Sequence, residues 1–354
     1  MAYTTIDDPT IYFNTILYTG DGNTRSLTGV GFQPDWVWAK ERNGTNSNNF
    51  WDSVRGATKG IFSDQTTAEL TNAGSGYLTS FDSDGFSVQA GSGSIDNLNR
   101  SSGTYVAWSW LAANGTASNS DGSITSTVSA NTTAGFSIVS YTGNGTQGAT
   151  IGHGLGIKPS WILVKRRDNT SDWLNYHSSL GATKSIFLNA THASGTYNYW
   201  NSTEPTSSVF EIFSSTSAAI NASGGTYIAY CFVEKKGYSK FGSYTGNGNA
   251  DGTFIYTGFK PAWLMYKASS ISDQSWLIHD NKRGNQGSNA NPQDLRLLAN
   301  ATNTEADVNI DFLSNGFKTR AGDAHINSSG TTYIYMAFAE SPFVNSNGIP
   351  NNAR

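Results

Sequence analysis

The chain is poor in the residues that most enzymes and many small secreted folds depend on. It has 354 residues and one cysteine, Cys231. That count rules out an intrachain disulfide framework and a Cys-based metal knuckle. The alternating apolar run around Cys231 reads as a burial site for a small residue rather than as the setting of a reactive thiol. Charged residues make up 14% of the chain, well under the roughly 25% of an ordinary soluble domain. The densest basic runs are Lys165-Arg166-Arg167 and Lys235-Lys236, too sparse to follow a phosphate backbone, so nucleic acid is not an expected partner. The longest apolar stretch, around Tyr105 to Ala113, is far too short for a membrane span, and no membrane insertion is expected. The opening MAYTTIDDPT lacks the basic and apolar regions of a secretory signal. No window holds a helical hydrophobic period over twelve residues, so helix is expected to be scarce.

Catalytic sets are missing as well. The histidines, His153, His177, His192, His279 and His325, do not stand at metal-ligand spacing. There is no Gly-x-Ser-x-Gly elbow and no glycine-rich phosphate loop feeding a helix. Asp35, Glu41, Asp52, Asp82 and Asp84 could in principle supply the paired carboxylates of a glycosidase. Internal comparison argues against this: Asp35 corresponds to Ser160 and Ala262, and Asp52 to His177 and Asp280. Asp35 therefore reads as replaceable surface. Asp52 with Arg55, echoed by Asp280 with Arg283, reads as a local ion pair steadying a turn. Asp82 and Asp84, in DSDG, form at most a weak calcium candidate. No catalytic residue, metal or cofactor is expected, and the chain reads as a non-enzyme.

What the chain does have is aromatic residues, glycine and a recurring pattern. Aromatics are 13%, with 10 Trp, 17 Tyr and 18 Phe, beside 38 Gly. The stretch Gly31 to Lys40, GFQPDWVWAK, returns at Gly156 to Lys165 as GIKPSWILVK and at Gly258 to Lys267 as GFKPAWLMYK. Alternation of large side chains after a Gly/Pro break predicts a strand entered from a turn. Each copy follows a Tyr-Thr-Gly turn at Tyr18, Tyr141 or Tyr244, and each leads to a closing run at Tyr105, Tyr227 or Tyr333. The three tyrosine-to-tyrosine spans are nearly equal, as copies of one unit require.

In the closing runs Val106, Trp108 and Trp110 share one face, matched by Ile228, Tyr230 and Phe232 and by Ile334, Met336 and Phe338. The other face carries small residues. That contrast fits a sandwich strand whose second face is partly covered. The expected organisation is an N-terminal lead-in over 1–16, repeats over 17–112, 135–236 and 237–342, a Ser/Thr/Asn/Gly linker over 113–134, and a polar tail over 343–354. The second and third repeats, joined almost directly, are expected to pack closely, with the first freer.

Loop aromatics are the ligand-contact candidates: Phe50, Trp51, Tyr197, Tyr199, Trp200 and Trp276. Exposed rings beside Asn, Ser and Thr could stack on sugars or meet another protein, while buried rings would plug the ends of a sandwich.

The series YTG-[DN]-G, GF-x-P-x-W-V-W-x-K, W-D-x-x-RG, DGF and GTY-V-A-W-x-W resembles a module of predicted virion proteins of marine tailed bacteriophages, over nearly the whole chain. The resemblance implies three tandem jelly-roll or lectin-like β-sandwiches in an all-β protein with very little helix. It implies a tail fibre, adhesin or appendage component that is assembled in the host cytoplasm, located in the virion and bound to other virion proteins. A homo-oligomer, such as a trimer, would contact host surface glycan or protein. A capsid decoration or connecting protein is the alternative, and a glycan-degrading enzyme ranks last.

Overall fold

The computed structural model describes residues 2–92, 97–213, 218–284 and 290–351. It is all-β and antiparallel. Among the described residues the helical content is a 3-10 turn, Pro9–Ile11, capped by Asp8, and one α-helical turn, Ala218–Asn221.

One pairing order occurs three times. In the first lobe the opening strand Phe13–Thr19 pairs with the closing strand Thr104–Trp110, which pairs with the central strand Trp36–Glu41; Asn49–Asp52, Lys59–Phe62 and Leu70–Thr71 follow. In the second lobe Phe136–Thr142, Thr226–Phe232, Trp161–Arg166, Leu174–His177, Lys184–Phe187 and Gly195–Thr196 take the same places. The third lobe begins in the same order with Ser239–Thr245, Thr332–Pro342, Phe259–Ala268 and Leu277–Asp280. It then continues through Gln293–Leu298, Ala306–Leu313 and Gly316–Thr319 to Phe254–Tyr256, in one nearly closed sheet. The register places Tyr18 opposite Tyr105, Tyr141 opposite Tyr227 and Tyr244 opposite Tyr333. Their rings stack at centroid distances of 5.0, 5.0 and 4.9 Å.

The Tyr-Thr-Gly turns show why glycine is required. Asn99, Asn221 and Asn327 each accept a backbone N–H from the turn and donate to a carbonyl two residues further on. This draws the turn against the backbone that precedes the closing strand. A Cβ on Gly20, Gly143 or Gly246 would lie 2.1, 2.4 or 2.3 Å from a carbonyl oxygen there, a collision that only glycine avoids.

Both faces of the central strands are buried. Val37 and Ala39 pack into the first lobe's own core, as Ile162 and Val164 do in the second and Leu264 and Tyr266 in the third. The large faces go elsewhere. Trp36, Trp38, Trp108 and Trp110 join Trp161, Trp173, Tyr230 and Phe232, and Trp263, Trp276, Met336 and Phe338, in one core shared by all three lobes. Trp36 stacks on Tyr230 at 4.7 Å, Trp110 meets Trp263 at 5.6 Å and Trp161 meets Trp276 at 5.6 Å. The first lobe is therefore not freer than the others. It is locked to both by ring contacts, the result expected when each large aromatic face lacks a covering layer within its own lobe.

Two sequence boundaries need correction. The segment 113–134 is not a loose linker: Ala117–Asn119 and Ser126–Asn131 pair in sequence and extend the second lobe's sheet through Phe136–Thr142. The lead-in does not run as far as residue 16. The first strand begins at Phe13, Ile6 is buried, and Thr4 donates to the Lys236 carbonyl at 2.8 Å. The tail packs onto the third lobe through Asn351, whose side chain donates to the Ser314 carbonyl at 2.8 Å.

Candidate functional site

The lysine that closes each copy of the recurring stretch sits on the tryptophan face of its strand, two residues beyond Trp38, Val-flanked Leu163 or Met265. All three are fully buried. Lys40 donates to the carbonyl of Thr302 at 2.9 Å, Lys165 to that of Thr66 at 2.8 Å and Lys267 to that of Thr191 at 2.9 Å. Each also donates to a carbonyl of its own lobe, at Asn46, Ser171 and Gln274. The first lobe thus bolts to the third, the second to the first and the third to the second, closing a ring. Desolvation pulls the three amines down from their ordinary range, to about 8, 8 and 7.

A second set of bonds runs round the same ring. Trp173 donates its indole N–H to the Phe62 carbonyl at 2.7 Å, and Trp276 to that of Phe187 at 2.8 Å. Asn48 takes the equivalent place in the first lobe and donates to Leu298 at 3.1 Å. Asp52 and Arg55 form a fully buried ion pair, as do Asp280 and Arg283. These pairs do more than steady a turn. Asp52 accepts the hydroxyl of Tyr230 at 2.6 Å, and Asp280 the indole N–H of Trp108 at 2.9 Å. His177, in the corresponding place of the second lobe, lies 3.4 Å from the Tyr335 carbonyl. Burial holds His177 and His279 neutral, lowering them to about 4 and about 3.

Asp35 is a further correction. It is buried, not surface, and accepts the Ser53 hydroxyl at 2.6 Å and the backbone N–H groups of Ala112 and Asn114 at 2.8 and 3.0 Å. It fixes the exit of the closing strand. Burial raises its carboxyl despite those donors.

The six aromatic candidates do not form one site. Phe50, Trp51, Trp200 and Trp276 are at most 1% exposed, so their faces are unavailable to an external ligand. Phe50 and Trp276 belong to the shared core, Trp51 to the first lobe's core and Trp200 to the second's. Tyr197 and Tyr199 remain together near the surface. Tyr197 is 37% exposed and Tyr199 half-buried. Their rings lie 5.6 Å apart at 28°, with Tyr197 edge-on to Phe187 at 5.2 Å. A Cβ on Gly195 would come within 2.3 Å of the Tyr197 ring, so glycine there lets the ring fold over the hairpin. The preceding loop is anchored to the third lobe by Ser194, which donates through its N–H and hydroxyl to the Ser269 carbonyl, both at 2.9 Å. Thr196, Asn198 and Ser202 are exposed around the rings. The result is a small aromatic platform with amide and hydroxyl groups at its rim, placed beside the boundary between the second and third lobes.

Asp82 and Asp84 turn apart to separate tasks. Asp82 accepts the hydroxyls of Ser80 and Ser87, both at 2.7 Å, while Asp84 accepts the N–H groups of Gly29 and Gly31 at 3.1 and 2.6 Å. Among the described residues no group of three or more His, Cys, Asp or Glu side chains is placed to hold a metal ion. Cys231 is buried, and burial pushes its thiol up. An open cleft of about 390 Å³ on the third lobe is lined by Asn291, Pro292, Asn309, Asp311 and Arg320. Arg320 is already paired with Asp311 there. Among the described residues no helix is long and apolar enough to cross a membrane.

The lysine bolts were missed in the sequence reading, although a signal was present. A lysine recurring in all three copies, on the face that carries the tryptophans, had to be either buried and bonded or out of register.

No curated protein and no solved structure matches the chain. One family model does, over residues 8–342, and its description is Domain of unknown function (DUF7483). Spanning nearly all of the sequence, that match places the chain in the DUF7483 family.

Proposed function

We propose that this protein is a non-enzymatic structural component of a bacteriophage virion, in a tail fibre or appendage, and that it meets the host surface through the Tyr197–Tyr199 platform. The observation that carries the reading is where the repeated polar groups are used. The lysines, the Asp–Arg pairs and the indole donors hold lobe to lobe; they do not converge on a cleft. A ring of this kind is a rigid mount, and rigid mounting suits presentation of loops. The tyrosine platform supplies flat apolar faces with Asn, Ser and Thr at the edge, chemistry that fits the C–H faces and hydroxyls of a glycan.

The same platform could face another virion protein, which is the decoration or connecting role; a homo-oligomer would multiply its valency. Glycan-array binding by the purified chain, compared with a Tyr197→Ala/Tyr199→Ala variant, tests the contact. Binding lost in the variant with its unfolding transition unchanged supports the host-contact role. Undiminished binding sinks the platform's part in it. Location of the chain in particle density separates tail from capsid, and release of reducing ends from host polysaccharide would favour the enzyme reading.

A further inference from the structure

The third lobe carries one polar cluster that the ring of lobe contacts does not use. Lys260, on the central strand Phe259–Ala268, is 5% exposed, and its Nζ lies 2.5 Å from Oε1 of Glu340. The other carboxylate oxygen of Glu340 accepts Nδ2 of Asn281 at 2.7 Å. One carboxylate thus bridges a buried amine and a buried side-chain amide. Asn281 is also 5% exposed, and its Oδ1 has no hydrogen-bond partner.

The backbone explains the convergence. The Asn281 N–H donates to the Ala262 carbonyl at 2.9 Å, which sets Asn281 beside Ala262 and diagonal to Lys260. Such diagonal pairs are about 7–8 Å apart at the backbone, within reach of a long side chain. Pro261 cannot donate a ladder hydrogen bond, and the register slips there: Lys260 pairs with Ser341 while Pro261 pairs with Ala339. Glu340 is the extra residue of that bulge, and bulges re-aim side chains. A cavity of about 50 Å³ adjoins the group, lined among others by Phe13, Ala262, Asn281, Ala339 and Glu340.

The other lobes act as internal controls. The positions of Lys260, Asn281 and Glu340 are taken by Gln33, Ser53 and Ala112 in the first lobe and by Lys158, Ser178 and Glu234 in the second. The backbone bond is kept in both, Ser53 to Asp35 and Ser178 to Ser160. In the second lobe Lys158 pairs with Glu204 and Glu234 with Lys240, both at the surface. Only the third lobe combines amine, amide and bridging carboxylate.

We propose that Lys260 and Asn281 join in an intramolecular amide bond, with Glu340 as the proton carrier. In the step proposed, Glu340, whose side chain is 25% exposed, takes a proton from the Lys260 ammonium, leaving a neutral amine and a carboxylic acid. The Nζ lone pair attacks Cγ of Asn281, and the acid donates to the amide as the tetrahedral centre forms. Proton transfer from Nζ through the carboxylate to Nδ2 then lets the Cγ–Nδ2 bond break. The Nζ–Cγ amide remains and one ammonia leaves, carrying away the proton that the lysine began with. No oxidant or other co-reactant is required. Held proximity supplies the drive: the amine and the amide are bound to the two oxygens of one carboxylate, and groups kept close and oriented react as if at very high concentration, on the order of 10⁵ M or more. The product would staple the central strand to the turn after Leu277–Asp280, beside the point where the N-terminal strand docks.

Mass spectrometry of the denatured full chain tests this. The expected mass is lower than the sequence mass by one ammonia, about 17 Da, relative to a Lys260→Arg variant corrected for its substitution. A protease digest should yield a branched peptide joining the Lys260 and Asn281 segments. Glu340→Gln should retain the full mass, and Asn281→Asp should lose water, about 18 Da, in place of ammonia. Unchanged mass in the wild-type chain after prolonged incubation in the folded state overturns the proposal. So does an ammonia loss that persists in Lys260→Arg, which would assign it to a cyclised asparagine elsewhere. Crosslinking that survives Glu340→Gln overturns the role given to the carboxylate.

Discussion

Tyr230→Phe tests most directly whether the three lobes behave as one body. The hydroxyl of Tyr230, in the second lobe, donates to Asp52 of the first at 2.6 Å, and both groups are fully buried. Phenylalanine keeps the ring, and with it the stack on Trp36 at 4.7 Å. Asp52 keeps Arg55, whose backbone N–H lies 2.8 Å away and whose guanidinium pairs with it. The change therefore removes the bond to the paired carboxylate, worth about 1.5–3 kcal/mol, and a long one in which the hydroxyl accepts from Arg55 at 3.4 Å; about 2 kcal/mol is expected because the ion pair remains. The contrast is Lys240→Gln, which breaks an ion pair with Glu234 whose side chains are 34% and 38% exposed. Exposed pairs contribute roughly 0–1 kcal/mol. Urea unfolding followed by tryptophan fluorescence reads both, since the indoles lie largely in the shared core. A single transition is expected, moved by Tyr230→Phe and scarcely by Lys240→Gln. In an Asp52→Asn background the effect of Tyr230→Phe should shrink, because the acceptor is no longer charged. A loss under about 0.5 kcal/mol for Tyr230→Phe, or two separated transitions, would refute the coupling argued from this contact.

Two further predictions follow from buried groups. The lowered amines of Lys40, Lys165 and Lys267, at about 8, 8 and 7, mean that the unfolded chain binds more protons than the folded one between those values and the ordinary lysine value of 10.5. Their contribution to stability is full above the unfolded value and is lost as pH falls through the folded ones, so the urea midpoint should rise from pH 7 upward. Buried tyrosines such as Tyr141, Tyr244 and Tyr266, raised by desolvation, oppose this above about pH 10, where the unfolded phenols ionise; a flat or falling profile between about pH 7 and 9 contradicts the assignment. Cys231 is buried with its thiol pushed up, so a thiol reagent should label the folded chain only at the rate of unfolding, and prompt stoichiometric labelling under native conditions would show the closing strand of the second lobe to be accessible.

Much of the fold is written locally in the chain. Alternation in GFQPDWVWAK and its echoes marks the central strands, and the tyrosine-to-tyrosine spans mark the opening and closing strands, because side-chain period follows directly from the pleat. The two-faced character of the closing strands is legible for the same reason: Trp108 and Trp110 lie on one side and Ala107 and Ser109 on the other. What no local pattern states is which surface covers a large apolar face. Covering each large face within its own lobe and gathering the large faces of a ring of three lobes into a common core bury the same tryptophans, and the hydrophobic effect is non-directional. The ring was decided by partners far apart in sequence: Lys40 with Thr302, Trp173 with Phe62 and Tyr230 with Asp52.

The candidate site divides in the same way. Six loop aromatics look alike in sequence, since Trp and Tyr serve both cores and contact surfaces. Tertiary packing sorted them, taking Phe50, Trp51, Trp200 and Trp276 inward and leaving Tyr197 and Tyr199 at the rim. Asp35 was read as replaceable because its counterparts are Ser160 and Ala262, yet in the first lobe it holds the N–H groups of Ala112 and Asn114. Residue identity and period determined the strands, their faces and the turns. Only the three-dimensional structure decided which lobe each face would meet, because that depends on long-range geometry and on donors and acceptors that find one another only after the chain has closed.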